Sequence, residues 1–255
     1  MVNPGAAFFD LDNTLIRGSS IYFIARGMYT RGYFTKNDIS KFVVANVRFR
    51  LTGTEKPEVI ERYRKASQEF IGGHKVTDIY QTCDEIYDEL ICKKLWLGAT
   101  DIAKSHISAG RQVWLVSAAP EDLAKLIAEK LNLTGAIGTK AEIKDGAYTG
   151  KMIGPILHGK DKAIAVKELA DKNGINLSES FAYSDSANDL PLLEMVGHPN
   201  AINPDAKLRF RALTSGWPIH DFRKFRFANR MLGPMVSRIV AIAPFLTPRG
   251  TNKPE

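Results

Sequence analysis

Two aspartates stand one residue apart near the start of the chain. Asp10 and Asp12 directly follow the apolar run Ala6–Phe9, and Asn13 and Thr14 come next. In an extended segment alternate side chains share one side. The two carboxylates can then bind a hard cation, or one can attack a substrate while the other handles a proton. The alternative is a strand that stops at an Asx-turn with Asn13, and this stretch alone leaves both interpretations open.

Two later segments also place polar groups directly after short apolar runs. Ser117 follows the run 112–116, and a cluster that includes Asp185, Asn188 and Asp189 follows the run 181–184. Parallel strands open their carboxyl ends onto one edge of a sheet, where ligands bind. A serine beside free amides can hold phosphate oxygens, although a helix-cap role is the alternative for Ser117. The acidic cluster would complete an oxygen-rich site for Mg²⁺.

A lysine near a helix start is a further candidate. The segment Gly159–Lys162 opens a predicted helix and contains Lys160 and Lys162. Lysines at helix starts oppose the helix dipole, so a nearby anion would explain one of them. A solvated lysine is the alternative for either residue.

The elements that must position these groups include a long helical insertion. Apolar residues recur at helical spacing before residue 96, as at Ile79, Cys83, Ile86 and Leu90. We expect residues 17–96 to form an all-helical cap over the strand ends, excluding water and selecting the substrate. A static packing layer is the alternative. Further along, Lys144-Asp145-Gly146 predicts a β-hairpin turn.

Composition points to a protein without a membrane span or a disulfide framework. Hydrophobic residues make up 44% of the 255 residues and charged residues 25%, as in ordinary globular proteins. The first apolar run is too short for a secretory signal, and we expect a cytoplasmic protein. Cys83 and Cys92 lie nine positions apart in one predicted helix, which indicates two buried, reduced thiols.

The positive charge is concentrated at the end of the chain. The net charge is +7, and residues 207–255 alone carry ten Lys/Arg and two Asp/Glu. Aromatic residues are interleaved with the cations. Three interpretations remain open: a segment packed on the body, contact with an anionic membrane surface at its inner face, and nucleic-acid binding, which is disfavoured because no recognised binding module is present. The sequence predicts no oligomeric state.

Together these segments resemble the haloacid dehalogenase superfamily, in the branch that includes phosphoserine phosphatase. Four motifs carry the resemblance, in the expected order: Asp10-Leu11-Asp12-Asn13-Thr14, Ser117, Lys162 and Asp185-Ser186-Ala187-Asn188-Asp189. It implies an α/β fold with a Rossmann-like parallel sheet core, residues 1–16 and 97–220, and an inserted all-helical cap, residues 17–96. From its charge pattern we expect residues 221–255 to form a basic amphipathic tail. The spacing from Lys162 to Ala170 and Gly174 favours Lys162 over Lys160 as the motif lysine.

The resemblance also implies a role for each residue of the motifs. Asp10 would be the nucleophile that forms an aspartyl-phosphate, and Asp12 the general acid and base. Mg²⁺ would be held by Asp10, Asp12 through its carbonyl, and Asp185, with support from Asp189. The remaining phosphate oxygens would be bound by Thr14, Ser117, Ala118, Lys162 and Asn188.

The alcohol half of the substrate stays open. Phosphoserine phosphatases bind the substrate ammonium with a glutamate where this chain has Ser19, and they carry Ser-Gly-Gly where it has Ser117-Ala118-Ala119. A lipid or small-metabolite phosphate is therefore the leading hypothesis, and phosphoserine is the alternative. A phosphotransferase or mutase with the same aspartates, and a non-catalytic membrane scaffold, are rivals of another class.

Overall fold

The computed structural model describes residues 4–33 and 71–223. The chain divides into a unit of residues 1–220 and a unit of residues 221–255. The α-helices among the described residues are α1 (Ser20–Thr30), α2 (Val76–Ile86), α3 (Leu97–Ser108), α4 (Glu121–Lys130), α5 (Lys160–Asn173), α6 (Leu190–Leu193) and α7 (Ala206–Ser215). The strands are β1 (Ala7–Phe9), β2 (Val113–Pro120), β3 (Gly135–Lys144), β4 (Ala147–Ile153), β5 (Phe181–Ser184), β6 (His198–Ile202) and β7 (Ile219–His220).

The seven strands described here form one sheet with β1 near its centre. Their order is β4-β3-β2-β1-β5-β6-β7. All neighbours are parallel except β3 and β4. Phe9 is in register with Leu115 of β2 and with Tyr183 of β5. The residues that follow these three positions therefore lie side by side, toward the carboxyl edge of the sheet.

Successive residues of β1 serve the two faces of the sheet. Phe8 joins a buried cluster with Val166 of α5, Leu192 of α6 and Leu208 of α7. Phe9 stacks on Tyr183 at a centroid distance of 4.3 Å, on the face that also holds His106 of α3. This alternation is the expected pattern for a strand buried on both faces. The sheet is therefore covered by helices on each side, as the predicted α/β class requires.

The described parts of the predicted cap, residues 17–33 and 71–96, are largely helical. Helices α1 and α2 pack closely, because a Cβ on Gly27 would lie 2.5 Å from Ile86. After α2 the chain winds as a π-helix, Tyr87–Ile91, and then as a short 3₁₀ turn, Cys92–Lys94. Residues 34–70, including the helices that we expect there, lie outside the described residues. The domain boundaries thus stay a prediction.

The two cysteines lie in different environments, although the sequence predicts two buried thiols in one helix. Cys83 is buried within α2, but Cys92 is only partly buried. The π-helical turn shifts the facing of residues after Ile86, and the Cys92 thiol donates to the Asp88 carbonyl at 2.9 Å. The prediction of two buried thiols in one helix was therefore wrong for Cys92.

The predicted hairpin is confirmed. Lys144 pairs with Ala147 across the antiparallel strands β3 and β4. Between them Asp145 has φ of 52° and Gly146 has φ of 76°. Two consecutive positive φ values suit the twist of a two-residue hairpin turn. This hairpin forms one edge of the sheet beside α4.

Most of the basic segment lies beyond the described residues. Of residues 221–255 only Asp221–Arg223 are described, where Arg223 Nε donates to Asp221 Oδ1 at 3.0 Å. The predicted lipid contact of this segment therefore stays untested. Within residues 4–33 and 71–223, none of the helices combines the length and the hydropathy needed to cross a bilayer.

Candidate active site

A polar cavity of about 220 Å³ opens at the carboxyl edge of the sheet. It is called the polar cavity below. Most of the residues predicted for the site line it: Asp10, Asp12, Ser117, Ala118, Lys162, Asp185, Asn188 and Asp189. They come from the ends of β1, β2 and β5 and from the start of α5. Asn13, Ile21, Ala119, His158 and Ser186 complete the described lining.

Thr14 is the predicted site residue that does not face the cavity. Its side chain is fully buried. The Thr14 hydroxyl lies 3.2 Å from Asp10 Oδ2, to which it donates, and 3.5 Å from Asp185 Oδ1. Thr14 thus links the carboxylates that follow β1 and β5. This geometry suits a residue that orients Asp10 better than one that binds phosphate.

Lys162 is held between two carboxylates. Its Nζ donates to Asp10 Oδ1 at 2.6 Å and to Asp189 Oδ2 at 2.8 Å. Ser184 Oγ also donates to Asp189 Oδ2, at 2.7 Å. Lys162 is 3% exposed, whereas Lys160 is exposed at the first residue of α5. The structure therefore brings Lys162, and not Lys160, into the site.

The backbone before α5 explains how a lysine of its first turn reaches the sheet edge. Gly159 precedes α5 with φ of 55° and ψ of −118°, a conformation that residues with a Cβ rarely adopt. A Cβ at this position would also lie 3.5 Å from the Asn188 carbonyl oxygen. The turn at Gly159 therefore sets α5 against the loop that follows β5.

Asp12 is oriented by the start of α1. The backbone N–H of Ser20, the first residue of α1, donates to Asp12 Oδ1 at 2.8 Å. The helix N-terminus favours a negative charge at that position. Between them Asn13 adopts φ of 61°, and its side-chain oxygen accepts from Gly18 N at 3.1 Å. A tight turn thus returns the chain to the aspartates before α1 begins.

Ser117 and Ala118 lie where β2 departs from regular pairing. The register of β2 with β3 shifts between Val116 and Pro120. Ser117 Oγ accepts from the Ala119 N–H at 3.1 Å, which leaves the hydroxyl proton available to donate into the cavity. The strand runs on to Pro120, further than the sequence predicts. The irregular pairing exposes this short segment to the polar cavity.

Two residues that the sequence reading missed hold the loops around the site. Asn203 Nδ2 donates to the Asn13 carbonyl at 3.1 Å. Asp205 N donates to the Asp185 carbonyl at 2.7 Å, and its carboxylate accepts from Ala187 N at 2.9 Å. The same carboxylate caps α7 through Leu208 N. The helix-cap signature of Asp205 is visible in the sequence, but its second role needs the fold.

Burial and mutual repulsion raise the pKa of two of the carboxyls. The pKa of Asp10 rises to about 6, chiefly through burial, although the positive charge of Lys162 opposes the rise. The pKa of Asp185 rises to about 8, through burial and then the negative charge of Asp10. For Lys162 burial lowers the pKa, but Asp10 and Asp189 outweigh it and the pKa rises above its ordinary value. The site holds more negative charge than its own lysine balances.

The donor set fits a hard divalent cation. Four carboxylates border the polar cavity, and Lys162 is the one Lys or Arg among its described lining residues. In the described part of the chain no three acidic, His or Cys side chains surround a common metal position. Mg²⁺ does not require such a cage, because it keeps several waters and uses one or two carboxylates with substrate phosphate. Asp10 and Asp185, which the Thr14 hydroxyl contacts, would supply such a pair. Lys162 binds both Asp10 and Asp189, and Asp189 also accepts from Ser184.

Comparisons with known proteins agree with this geometry. A family model described as haloacid dehalogenase-like hydrolase matches residues 7–194. A Mycobacterium tuberculosis protein named phosphoserine phosphatase is 48% identical over 226 residues, which cover 89% of this chain and 73% of that protein. Another protein of this organism, named probable phosphatase, is 34% identical over 239 residues, which cover 93% and 83% of the two chains.

A solved structure supports the fold. The crystal structure of a protein with unknown function from Bordetella pertussis Tohama I matches with a TM-score of 0.77 and 27% identity. The match covers 86% of this chain and 99% of that one. The Rossmann-like α/β class predicted from the sequence is therefore confirmed.

Proposed function

The chain belongs to the haloacid dehalogenase-like hydrolases, and from that premise we propose a Mg²⁺-dependent phosphomonoesterase that works through an aspartyl-phosphate. One observation supports this most. Asp10 directly follows β1 and lines the polar cavity, with its carboxylate held by Lys162 at 2.6 Å and by Thr14 at 3.2 Å. A fixed carboxylate beside a buried cation suits attack on a phosphate, since the cation also attracts the phosphate oxygens.

In the first step an oxygen of the Asp10 carboxylate attacks phosphorus. The bond between phosphorus and the alcohol oxygen breaks, and its electron pair goes to that oxygen. Asp12 gives the oxygen a proton, and the alcohol leaves. Asp12 is positioned for this role by the Ser20 N–H, which fixes one of its carboxyl oxygens, and Asp12 lines the polar cavity.

In the second step water releases the phosphate. Asp12, now a carboxylate, takes a proton from a water molecule whose oxygen attacks phosphorus. The bond to Asp10 breaks, and inorganic phosphate leaves with the Asp10 carboxylate restored. Lys162 and the Ser117 hydroxyl stabilise the charge on the phosphate oxygens in both steps. Asp189 and Ser184 keep Lys162 in place.

Asp10, Asp185 and the carbonyl of Asp12 would hold Mg²⁺ in this site. When bound, the ion would offset the repulsion between the anionic nucleophile and the anionic substrate. Burial, and after it the neighbouring carboxylates, raise the pKa of Asp10 and of Asp185, and a bound cation would favour their charged forms. Thr14 bridges the two carboxyls and keeps them near each other.

A substrate screen tests the proposal. It would measure phosphate release from phosphoserine, sugar and polyol phosphates, histidinol phosphate and phospholipid headgroup monoesters, with Mg²⁺ and with a chelator. We expect Mg²⁺-dependent turnover that Asp10→Asn abolishes. The matched control is Asp101→Asn, since Asp101 is exposed on α3. Turnover that is equal in Asp10→Asn and wild type would contradict the proposal.

Phosphoserine is the second candidate substrate, because the relative that is 48% identical is named phosphoserine phosphatase. Ser19 argues against it, since a serine at that position cannot neutralise a substrate ammonium group. Adding a glutamate tests this point. If phosphoserine is a poor substrate, Ser19→Glu should raise its kcat/KM relative to glycerol phosphate, and an unchanged ratio would exclude this explanation.

A lipid phosphate is the third class, motivated by the cations of residues 207–255. Flotation of the full-length protein with anionic and with neutral vesicles tests whether this segment binds a membrane. We expect binding to anionic vesicles that weakens with salt and is lost when Lys224, Arg226 and Arg230 are changed to Gln. Equal recovery of wild type and the triple variant would contradict a membrane role.

A further inference from the structure

A second cavity, of about 80 Å³, lies beside the polar cavity and has the opposite character. It is called the apolar cavity below. Its described walls come from α1, α2, the start of α4 and the β3–β4 hairpin. Aliphatic side chains dominate these walls, among them Ile24, Met28, Ile79, Leu123 and Leu126. An apolar cavity of this kind excludes water readily and favours an apolar ligand group.

The tyrosine, threonine and aspartate side chains in these walls are already hydrogen-bonded within the protein. Tyr148 OH donates to Asp122 Oδ2 at 2.9 Å, and Tyr80 OH donates to Glu129 Oε2 at 2.7 Å. Thr139 Oγ1 donates to the Ala118 carbonyl at 2.8 Å. The exposed Lys140 and Lys151 complete the charged residues of the described walls.

The Cys83 thiol in the same walls stays neutral. Burial, and then the negative charge of Asp122, raise its pKa to about 12. Cys83 therefore behaves as a small apolar side chain there. Beside Cys83 a ligand carboxylate would lose its hydration and meet the negative charge of Asp122 instead of a matched partner.

The two cavities meet at two places along the chain. Ile21 lines both of them, and it directly follows Ser20, whose N–H binds the Asp12 carboxylate. Ala119 lines the polar cavity and Pro120, the next residue, lines the apolar one. An alcohol oxygen that takes a proton from Asp12 would therefore stand beside the entrance to the apolar cavity.

We propose that the apolar cavity receives the hydrocarbon part of the substrate alcohol, so that the enzyme selects amphiphilic phosphomonoesters. This inference rests on the proposed function, because Asp12 fixes where the alcohol half begins. The occupant is an alkyl chain that starts within a few atoms of the phosphate. The shared wall at Ile21 and the bonded polar groups of the apolar cavity support this choice over an amino-acid side chain.

A series of n-alkyl phosphates from methyl to octyl tests the proposal in the presence of Mg²⁺. Each methylene buried in an apolar pocket is worth about fourfold in binding. We therefore expect kcat/KM to rise about fourfold per carbon over the first members, and then to level off when the cavity is filled. A flat series, with methyl phosphate still hydrolysed in a Mg²⁺-dependent way, would overturn this inference and leave the proposed function standing.

A cavity-filling variant locates the effect. Ala141, on β3, lines the apolar cavity, and Ala109 is exposed at the end of α3. Ala141→Leu should lower kcat/KM for octyl phosphate at least tenfold and leave kcat/KM for methyl phosphate within twofold of the wild-type value. Ala109→Leu, the same change away from the cavity, should preserve the wild-type series. An unchanged series in folded Ala141→Leu would overturn the assignment.

Calorimetry with n-alkyl phosphonates gives a readout that needs no turnover, because their carbon–phosphorus bond is not hydrolysed. Titration of the wild-type protein should give a heat-capacity change that becomes more negative with chain length, as burial of apolar surface requires. A heat-capacity change that is independent of chain length would contradict the inference. If the wild-type protein binds phosphonates in a chain-length-dependent way but shows no Mg²⁺-dependent hydrolysis, the result would instead contradict the proposed function.

Discussion

The polar cavity and the apolar cavity share Ile21 in their walls, but the chain builds them in different ways. The polar cavity collects residues that directly follow β1 and β5, residues at the end of β2, and the first turn of α5. The apolar cavity collects side chains from α1, α2 and α4 and from the hairpin. Short contiguous motifs form the first, and side chains scattered over about 130 residues form the second.

The difference separates chemistry from selectivity. In the polar cavity Lys162 forms ion pairs with Asp10 and Asp189. In the apolar cavity the wall groups contribute shape and hydrophobicity. Changes in the polar cavity should therefore affect every substrate alike, whereas changes in the apolar cavity should affect substrates according to their alcohol.

The largest effect should come from the lysine of the polar cavity. Lys162→Met keeps most of the side-chain volume but removes the cation beside the phosphate. We expect kcat/KM to fall by about 10²–10³-fold for short and long alkyl phosphates alike. Lys160→Met, two residues earlier and exposed, is the control and should stay within twofold.

The measurement is steady-state kinetics on methyl and octyl phosphate, with folding verified by circular dichroism. A folded Lys162→Met protein with wild-type activity, or a loss confined to octyl phosphate, would break the separation between the two cavities. A comparable loss in Lys160→Met would show that the phosphate-binding role does not belong to Lys162 alone.

A smaller effect should come from the residue shared by both walls. Ile21→Thr keeps the β-branch, shortens the side chain by one methyl group and places a hydroxyl where the alkyl chain passes, and an unpaired polar group disfavours apolar contact. We expect about a tenfold loss in kcat/KM for octyl phosphate and less than threefold for methyl phosphate. Ile164→Thr, on the exposed side of α5, is the control. Equal losses for both substrates would contradict a boundary at Ile21.

The stability of the protein without and with Mg²⁺ should report on the carboxylates of the polar cavity. At pH 7 burial disfavours the Asp185 carboxylate, whose pKa is raised to about 8. Asp185→Asn should therefore raise the melting temperature of the metal-free protein by a few degrees, since about 1 kcal/mol corresponds to roughly 2–4 °C at this size. Added Mg²⁺ should stabilise wild type and not the variant. Differential scanning fluorimetry measures these melting temperatures. An equal rise with Mg²⁺ in both proteins would exclude Asp185 as a ligand.

The smallest effect should come from His106, which lines neither cavity among the described residues. His106 Nε2 lies 2.8 Å from the Tyr183 hydroxyl, and burial, followed by the charge of Arg111, lowers the pKa of His106 to about 4. In the unfolded chain it should titrate near its ordinary value of about 6.5. The stability that neutral His106 contributes is thus present above pH ~6.5 and is lost as the pH falls toward about 4.

Urea unfolding at pH 7 and pH 5 measures this effect. Between pH 7 and pH 5 the free energy of unfolding of wild type should fall by on the order of 1 kcal/mol more than that of His106→Gln. Phosphatase activity at pH 7 should be nearly the same in both proteins. An equal loss of stability would show that His106 does not titrate on unfolding in this range.

The sequence predicted the centre of the fold and most of the polar cavity. Apolar runs identified β1, β2 and β5 because strands buried on both faces are continuously apolar. The polar residues after them then had to share one edge. Lys162 could be chosen over Lys160 only by resemblance, and its ion pair with Asp10 required the turn at Gly159.

Other features depend on contacts distant in sequence. Thr14 was predicted to bind phosphate, but its position between Asp10 and Asp185 depends on the pairing of β1 with β5. Asp205 reads as a helix cap, and its bond to the loop after β5 becomes visible only in the fold. The apolar cavity had no sequence signal, because its aliphatic residues have the same spacing as ordinary core residues.

The central claim is that Asp10 carries the phosphoryl group, and a trapping experiment tests it most directly. The enzyme is mixed with substrate and Mg²⁺, quenched in acid within a turnover, and reduced with borohydride, which converts an aspartyl-phosphate into homoserine. Peptide mass spectrometry then locates the change. We predict homoserine at position 10 only, dependent on substrate and absent in Asp10→Asn. Homoserine at Asp12 or Asp185, or a phosphoryl group trapped on another side chain, would contradict the mechanism.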